Sequence, residues 1–195
     1  MSLFEFTFGL SAVILGLALT QMAGALHRLA IAGRRVKWAP EPLLLAALIF
    51  TVLVSVWLFQ WAQRDVQTTT IGLMMLQALK LLFPFLGAAF VLPDQVPESG
   101  LVNLYDHYER TRRYTYGALI AGLLMFWVHD VIQWAIAPLG DDPFRWTTAL
   151  AEGPWLFVVI YAALIVVRNR WFNRIVLTGA LTFWLWQVAG QRLAA

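Results

Sequence analysis

The chain has 195 residues, of which 61% are hydrophobic and 13% are charged, whereas soluble domains average roughly 45–50% and about 25%. This composition, with a mean hydropathy of +0.70, excludes an ordinary soluble globule and indicates an integral membrane protein. The formal net charge of +3 does not indicate nucleic-acid binding, because the basic residues lie in short runs between apolar segments. The absence of cysteine excludes disulfides and sites with cysteine ligands.

Six segments are apolar and long enough to be transmembrane helices, since a helix needs about 20 such residues to cross the hydrocarbon core. In chain order they are Phe6–Leu26, Pro42–Gln63, Val66–Pro93, Tyr114–Pro138, Trp146–Val167 and Ile175–Gln191. No Lys or Arg precedes the first segment, so we expect a retained helix rather than a cleaved signal peptide. We therefore predict an all-α polytopic membrane protein in which residues 1–195 form one six-helix transmembrane domain.

Lys and Arg are distributed unevenly over the connections between these segments. One set of alternate connections contains Arg28, Arg34, Arg35, Lys37, Arg110, Arg112, Arg113, Arg168, Arg170 and Arg174. The other set contains only Arg64, Arg145 and Arg192. Because cytoplasmic connections are enriched in basic residues, both termini are predicted to lie outside. We expect the protein in the inner (plasma) membrane of a bacterium.

The longest connection has an amphipathic pattern over about residues 99–113. Leu101, Leu104, Tyr105 and Tyr108 recur at helical spacing, ahead of three arginines. This pattern predicts a short cytoplasmic segment that lies on the inner membrane surface. The alternative is that the segment is the solvated beginning of the fourth helix.

Three charged residues, Lys80, Asp130 and Glu152, lie within the predicted spans. A charge at mid-membrane costs about 2.5–3.5 kcal/mol, so all three side chains should face the interior of the bundle. The helical rise places Lys80 roughly 15 Å and Asp130 roughly 10 Å below the outer surface. Because these depths match within the reach of a lysine, we predict an ion pair between Lys80 and Asp130.

Other polar residues are spaced so that they share a helix face with these charges. Gln77 precedes Lys80 by three residues, and Gln133 follows Asp130 by three and His129 by four. We predict a polar cavity that opens to the outside of the membrane. Its predicted ligand-binding residues are Lys80, His129, Asp130, Gln133, Gln77 and Glu152. The alternative is that these groups only hydrogen-bond one another between helices.

Small residues recur at every fourth position of the first helix, at Ala12, Gly16, Thr20 and Gly24. This spacing is typical of helices that approach one another closely in membranes. We predict that a neighbouring helix packs on this face. The neighbour could belong to the same chain, to a second copy in a homo-oligomer, or to a partner membrane subunit.

The motifs of phosphate-binding, dinucleotide-binding and common hydrolytic sites are missing from the sequence. The three histidines lie at different depths, which argues against a haem held by two of them, and His129 with Asp130 is only a fragment of a metal site. We therefore expect no cofactor and no metal. The chain is predicted to bind or move a small ion, a proton or a polar solute. The alternatives are a non-catalytic accessory or structural subunit of a larger membrane complex and, with least support, a membrane-embedded enzyme.

Overall fold

A computed structural model of the chain describes residues 3–61, 70–97, 100–136 and 144–190. The helices are α1 (Leu3–Ala32), α2 (Pro40–Trp61), α3 (Ile71–Val91), α4 (Leu104–Ile136), α5 (Trp146–Ala151), α6 (Trp155–Val166) and α7 (Arg170–Ala189). A 3₁₀ turn (Gly33–Arg35) and two short strands, β1 (Val36–Lys37) and β2 (Val102–Asn103), complete the regular structure of these ranges. The predicted all-α class is therefore confirmed.

Five stretches are long and apolar enough to cross a membrane: α1, α2, α3, α4 and residues 146–166. This is compatible with a membrane-embedded helical protein. The sixth predicted span corresponds to α7, which has 20 residues but contains Arg170 and Arg174 and is not among the five. Four predicted span ends, Gln63, Val66, Pro138 and Gln191, lie outside the described residues.

The fifth predicted span is interrupted, because α5 ends at Ala151 and α6 begins at Trp155. Pro154 lacks the N–H that a continuous helix would require, and its ring excludes the carbonyl four residues earlier. That carbonyl, on Leu150, accepts a hydrogen bond from the indole of Trp155 at 2.6 Å. A side chain at Gly153 would collide with the same indole. The fifth predicted span therefore contains a break at residues 152–154, although residues 146–166 are long and apolar enough to cross a membrane.

The fourth helix begins ten residues before its predicted start, so α4 includes most of the segment predicted to be amphipathic. Leu104 and Tyr108 of that segment are buried against the rest of the chain. The helix is continuous through Tyr114, which agrees with the alternative that this segment begins the fourth helix. Ser99, at the start of the predicted segment, lies outside the described residues.

The connections that are rich in basic residues meet at one end of the bundle. Strand β1, between α1 and α2, pairs in parallel with β2, between α3 and α4. Arg35 Nη1 donates a hydrogen bond to the carbonyl of Pro97 at 3.3 Å. Glu41, at the start of α2, contacts Arg170 and Arg174 of α7. We call this region the basic end of the bundle.

Helices α3 and α4 pack against each other more extensively than any other described pair. At their crossing, a Cβ atom added to Gly122 of α4 would lie 3.0 Å from Cδ of Pro84 on α3. A Cβ atom added to Gly87 would lie 3.3 Å from Leu119. The two glycines therefore allow the close approach, and the ring of Pro84 cannot rotate away from an added methyl group.

We expect Gly122→Ala and Gly117→Ala to change stability in opposite directions. Gly117 lies on the same helix, but a Cβ atom there would have nothing within 4 Å. Gly117→Ala should raise the free energy of unfolding by up to about 1 kcal/mol, because alanine favours a helix. Gly122→Ala should lower the free energy of unfolding, because the added methyl group overpacks the crossing. The free energies of unfolding of the two variants should therefore differ by about 1–3 kcal/mol. Unfolding of the detergent-solubilised variants by SDS measures both values, and equal changes would contradict a tight crossing at Gly122.

The small-residue face of α1 is largely open within the chain. Gly16 and Thr20 are exposed, and a Cβ atom added to Gly16 would have nothing within 4 Å. Ala12 and Gly24 are half-buried, and the nearest atom to a Cβ at Gly24 belongs to Arg28 of the same helix. No described helix therefore packs closely at Gly16. A contact between this face and a second copy or a partner subunit stays a prediction.

Candidate functional site

Lys80 is buried near the middle of α3, with only 4% of the residue exposed. Its Nζ atom lies 3.3 Å from Nδ1 of His129 on α4. The same atom lies 4.8 Å from the centroid of the Phe126 ring, within range of a cation–π interaction. A hydrogen-bond acceptor and an aromatic face therefore offset part of the free-energy cost of burying the ammonium group.

His129 is buried between two groups of opposite charge. Its Nδ1 atom, which faces Lys80, also lies 3.1 Å from Oδ1 of Asp130. An imidazole nitrogen accepts a hydrogen bond when it is unprotonated and donates one when it is protonated. With an ammonium on one side and a carboxylate on the other, Nδ1 can satisfy only one of its two neighbours at a time.

The predicted direct ion pair between Lys80 and Asp130 is not confirmed. Within the described part of the chain, the polar contact of Lys80 is with His129, which lies between the two charged groups. The Asp130 side chain is 66% exposed, so its carboxylate is at the edge of the cluster. The helical rise predicts matched depths for the two charged residues, but it does not predict which of two adjacent side chains contacts the lysine.

The other three predicted site residues, Gln77, Gln133 and Glu152, lie at three different places in the bundle. Gln77 is buried on α3, one turn before Lys80, and Gln133 is half-buried on α4, one turn after His129. Glu152 is exposed in the break between α5 and α6. The structure therefore brings together Lys80, His129 and Asp130. The contacts of the described residues do not link the other three to that cluster.

A cavity of about 410 Å³ lies beside this cluster, between α2, α3, α4, α6 and α7. Its charged lining residues are Lys80 and Asp130, and Gln60 adds an amide. The rest of the lining is apolar or aromatic, with Pro84 and Gly122 at the α3–α4 crossing. The close helix crossing described above therefore also forms part of the cavity wall.

Sequence reasoning did not assign Gln60 and Trp184 to the site, although both line the cavity. The side-chain nitrogen of each is buried without a hydrogen-bond partner. Gln60 is 8% exposed and lies in the last turn of α2. Its place in the outer half of a predicted span was the only signal in the sequence. Nothing in the sequence distinguishes Trp184 from the other nine tryptophans.

A second polar cluster, at the basic end, was also not predicted. Glu41 is fully buried, and its Oε1 atom accepts hydrogen bonds from Nε of Arg170 at 3.3 Å and of Arg174 at 3.0 Å. The guanidinium of Arg170 stacks on the Tyr105 ring, 3.6 Å from its centroid. Asn173, between the two arginines on α7, is fully buried, and neither end of its amide has a partner.

Comparisons with protein-family models, with characterised proteins and with solved structures find no match for this chain. Within residues 3–61, 70–97, 100–136 and 144–190, no three side chains of His, Asp or Glu come together as a metal site requires. The cluster of Lys80, His129 and Asp130, with the cavity beside it, is therefore the candidate functional site.

Proposed function

We propose that this is an integral membrane protein whose intramembrane site binds a proton together with a small ion or a polar solute. The observation that carries the proposal is the single nitrogen, His129 Nδ1, that faces both Lys80 and Asp130. Ionisable groups inside membrane bundles commonly mark ion pathways and proton relays. The proposal includes both termini outside and a site that opens to the outer face of a bacterial inner membrane, as the basic residues favour.

The cluster has two arrangements that differ by one proton. When His129 is neutral with its proton on Nε2, the Lys80 ammonium donates a hydrogen bond to Nδ1. When a proton binds to Nδ1, that nitrogen donates to the Asp130 carboxylate, and Lys80 loses its acceptor. The ammonium is then free to turn towards the cavity, whose wall it already forms. Binding of a proton thus changes the charge that the cavity presents to a solute, which couples the two events.

Replacing Lys80 by methionine should change the tautomer of neutral His129. Without the ammonium, nothing donates to Nδ1, and the carboxylate of Asp130 favours a proton on that nitrogen. In the neutral ring, we expect the proton on Nε2 in the wild type and on Nδ1 in Lys80→Met. NMR of protein labelled with ¹⁵N-histidine distinguishes the two tautomers, and His27→Gln and His107→Gln assign the remaining signals.

Asp130→Asn is the matched control, because it keeps the lysine and removes only the carboxylate. In that variant the proton should stay on Nε2. The same tautomer in the wild type and in Lys80→Met would show that the lysine does not set the protonation of His129, and the relay would be rejected.

Water access to the site can be tested with a single cysteine, because the native chain has none. We expect Gln133→Cys, three residues after Asp130 on α4, to react with a membrane-impermeant thiol reagent added from outside. Ile132→Cys is the control on the adjacent, exposed and apolar position, and it should react at least tenfold more slowly if it faces lipid, since the thiolate forms in water. Equal labelling of the two positions, or no labelling of Gln133→Cys in folded protein, would contradict an outward-open polar site.

The open face of α1 favours one alternative, an accessory or structural subunit of a larger membrane complex. A Cβ atom added to Gly16 would have nothing within 4 Å, so the described residues supply no close partner at the centre of the small-residue pattern. An accessory subunit would carry the Lys80 cluster as a packing feature without water access. Failure of Gln133→Cys to react would therefore favour this alternative.

A further inference from the structure

We propose that the basic end of the bundle binds the phosphate of an anionic phospholipid through Arg170, Arg174 and Trp171. This inference goes beyond the proposed function, because these residues belong to a different cluster from the one at Lys80. It depends on three features of the basic end: guanidinium groups with unused donors, an excess of positive charge around them, and exposed tryptophans beside them.

Glu41 holds the two guanidinium groups close together but accepts few of their hydrogen bonds. A guanidinium carries five N–H groups, and Arg170 and Arg174 each donate the one on Nε to Oε1 of Glu41. Within the described part of the chain, the terminal Nη groups of both arginines have no acceptor. The two side chains are 50% and 33% exposed, so a ligand can reach them. The planar fork of a guanidinium matches the oxygens of a phosphate.

The start of helix α7 does not itself supply the donors. The backbone N–H groups of Trp171 and Phe172 are already bonded to Oδ1 of Asn169. A phosphate at this place would therefore meet the guanidinium groups rather than unpaired backbone N–H groups. The proposed site consists of side chains.

Positive charge dominates the surface around the two arginines, since Glu41 balances only one of them. The same connections contribute the exposed basic residues Arg34, Lys37, Arg113 and Arg168. The exposed acidic residues described at this end are Asp94 and Asp106, and Asp94 already lies 4.0 Å from Arg28. This excess attracts anionic lipids. It disfavours phosphatidylcholine, whose ammonium group would lie among like charges, whereas the glycerol of phosphatidylglycerol is uncharged.

Exposed tryptophans favour a lipid over a soluble anion. Trp171 is 70% exposed and Trp38, just before α2, is 46% exposed. The guanidinium of Arg174 lies 5.4 Å from the centroid of the Trp171 ring. Tryptophan is enriched at the level of lipid head groups, because its ring is apolar and its N–H is polar. Ile175, one turn after Trp171, is 69% exposed, so an acyl chain would lie against an apolar surface.

Three additives test the head-group chemistry on the purified full chain in dodecyl maltoside: dioleoyl phosphatidylglycerol, dioleoyl phosphatidylcholine and glycerol phosphate. We expect phosphatidylglycerol alone to raise the midpoint of thermal unfolding, by about 3–6 °C at a tenfold excess over its Kd. An equal shift with phosphatidylcholine would show that charge does not select the lipid. An equal shift with glycerol phosphate would show that the site binds a free phosphate ester. Either result, or no shift with phosphatidylglycerol, overturns the proposal.

A triple variant, Arg170→Gln with Arg174→Gln and Glu41→Gln, removes the proposed site without leaving a buried carboxylate unpaired. We expect it to bind phosphatidylglycerol about tenfold more weakly than the wild type. The control is Arg34→Ala with Arg113→Ala, which lowers the net charge further because it removes no negative charge. The control should lose less than about threefold in affinity, since exposed charges are screened. Equal weakening in both variants would indicate general attraction to the basic end and overturn the proposal, and so would unchanged binding by the triple variant.

Trp171→Ala tests the site in a protein that keeps both arginines and Glu41. Because Trp171 is 70% exposed, its loss should leave the fold intact, whereas binding of phosphatidylglycerol should weaken about fivefold. Trp146→Ala is the matched control. Trp146 is 63% exposed at the start of α5 and packs on Phe144, which in turn contacts Trp134 near the end of α4. The control should bind like the wild type, and equal affinities of the two tryptophan variants would overturn the proposal.

Discussion

Removal of both Arg170 and Arg174 is expected to lower the free energy of unfolding by about 3–5 kcal/mol, since it leaves a buried carboxylate without a counter-charge. Glu41 is 0% exposed, and the two arginines supply its hydrogen bonds. The reverse change, which removes the carboxylate and keeps both arginines, should lower the free energy of unfolding much less. Arg170 and Arg174 are 50% and 33% exposed, so water can solvate both guanidinium groups after Glu41→Gln, and we expect a loss of about 1 kcal/mol.

SDS-induced unfolding of the detergent-solubilised variants measures this asymmetry. The control is Arg34→Ala with Arg113→Ala, which removes the same charge from two exposed positions and should change stability by less than about 0.5 kcal/mol. Adding Glu41→Gln to the double arginine variant should restore most of the loss, because the unpaired charge is then gone. A loss of equal size in the double arginine variant and in Glu41→Gln would contradict a buried carboxylate held by the two arginines.

The helical class and the approximate places of the long helices were predictable from composition and period. Long apolar runs between charges locate the long helices, because each run must provide about 20 residues to cross a bilayer, although α4 begins ten residues before its predicted start. The rise per residue brought Lys80 and Asp130 to matched depths, and the structure places both in one cluster. Each of these positions follows from the sequence of a single helix, without knowledge of the helices that pack against it.

The rotation of each helix about its axis was not predictable, because it depends on all its neighbours together. The spacing of residues 129 and 130 did not indicate that His129 would lie between Lys80 and Asp130. Glu41 was missed because a glutamate at the start of a helix is ordinarily solvated, and its burial depends on α7, which lies 129 residues away along the chain. The break in the fifth span could have been predicted from the sequence, because Pro154 directly follows Gly153.

The arrangement at the α3–α4 crossing connects packing to the candidate site. Pro84 and Gly122 bring the two helices close together and also line the cavity. One turn before Pro84 on α3, Lys80 reaches His129 on α4. A change in the separation of these helices would therefore alter the size of the cavity and the contact between lysine and histidine at the same time. This shared geometry gives the proposed proton switch a mechanical link to the cavity.

Asp130→Leu should destabilise the protein more than Lys80→Met, although both variants remove one charge of the same cluster. After Asp130→Leu, the Lys80 ammonium stays buried, at 4% exposure, without a nearby negative charge. We expect a loss of about 3 kcal/mol, the low end for a stranded buried charge, since His129 remains as an acceptor. After Lys80→Met, the Asp130 side chain, 66% exposed, keeps its access to water through the proposed outward opening. We expect that loss to stay below about 1 kcal/mol.

The double variant Lys80→Met with Asp130→Leu separates this explanation from a simple loss of packing. Because it removes the stranded ammonium, it should be more stable than Asp130→Leu alone, with a coupling energy of about 2 kcal/mol in a double-mutant cycle measured by SDS-induced unfolding. Glu152→Leu is the control, since it removes a carboxylate that is exposed outside the cluster, and it should show no coupling with Lys80→Met. Additive losses for Lys80 and Asp130 would mean that His129 does not transmit the charge of one residue to the other. The cluster would then be two independent polar contacts, and the bundle would lack the shared proton site on which the proposed function depends.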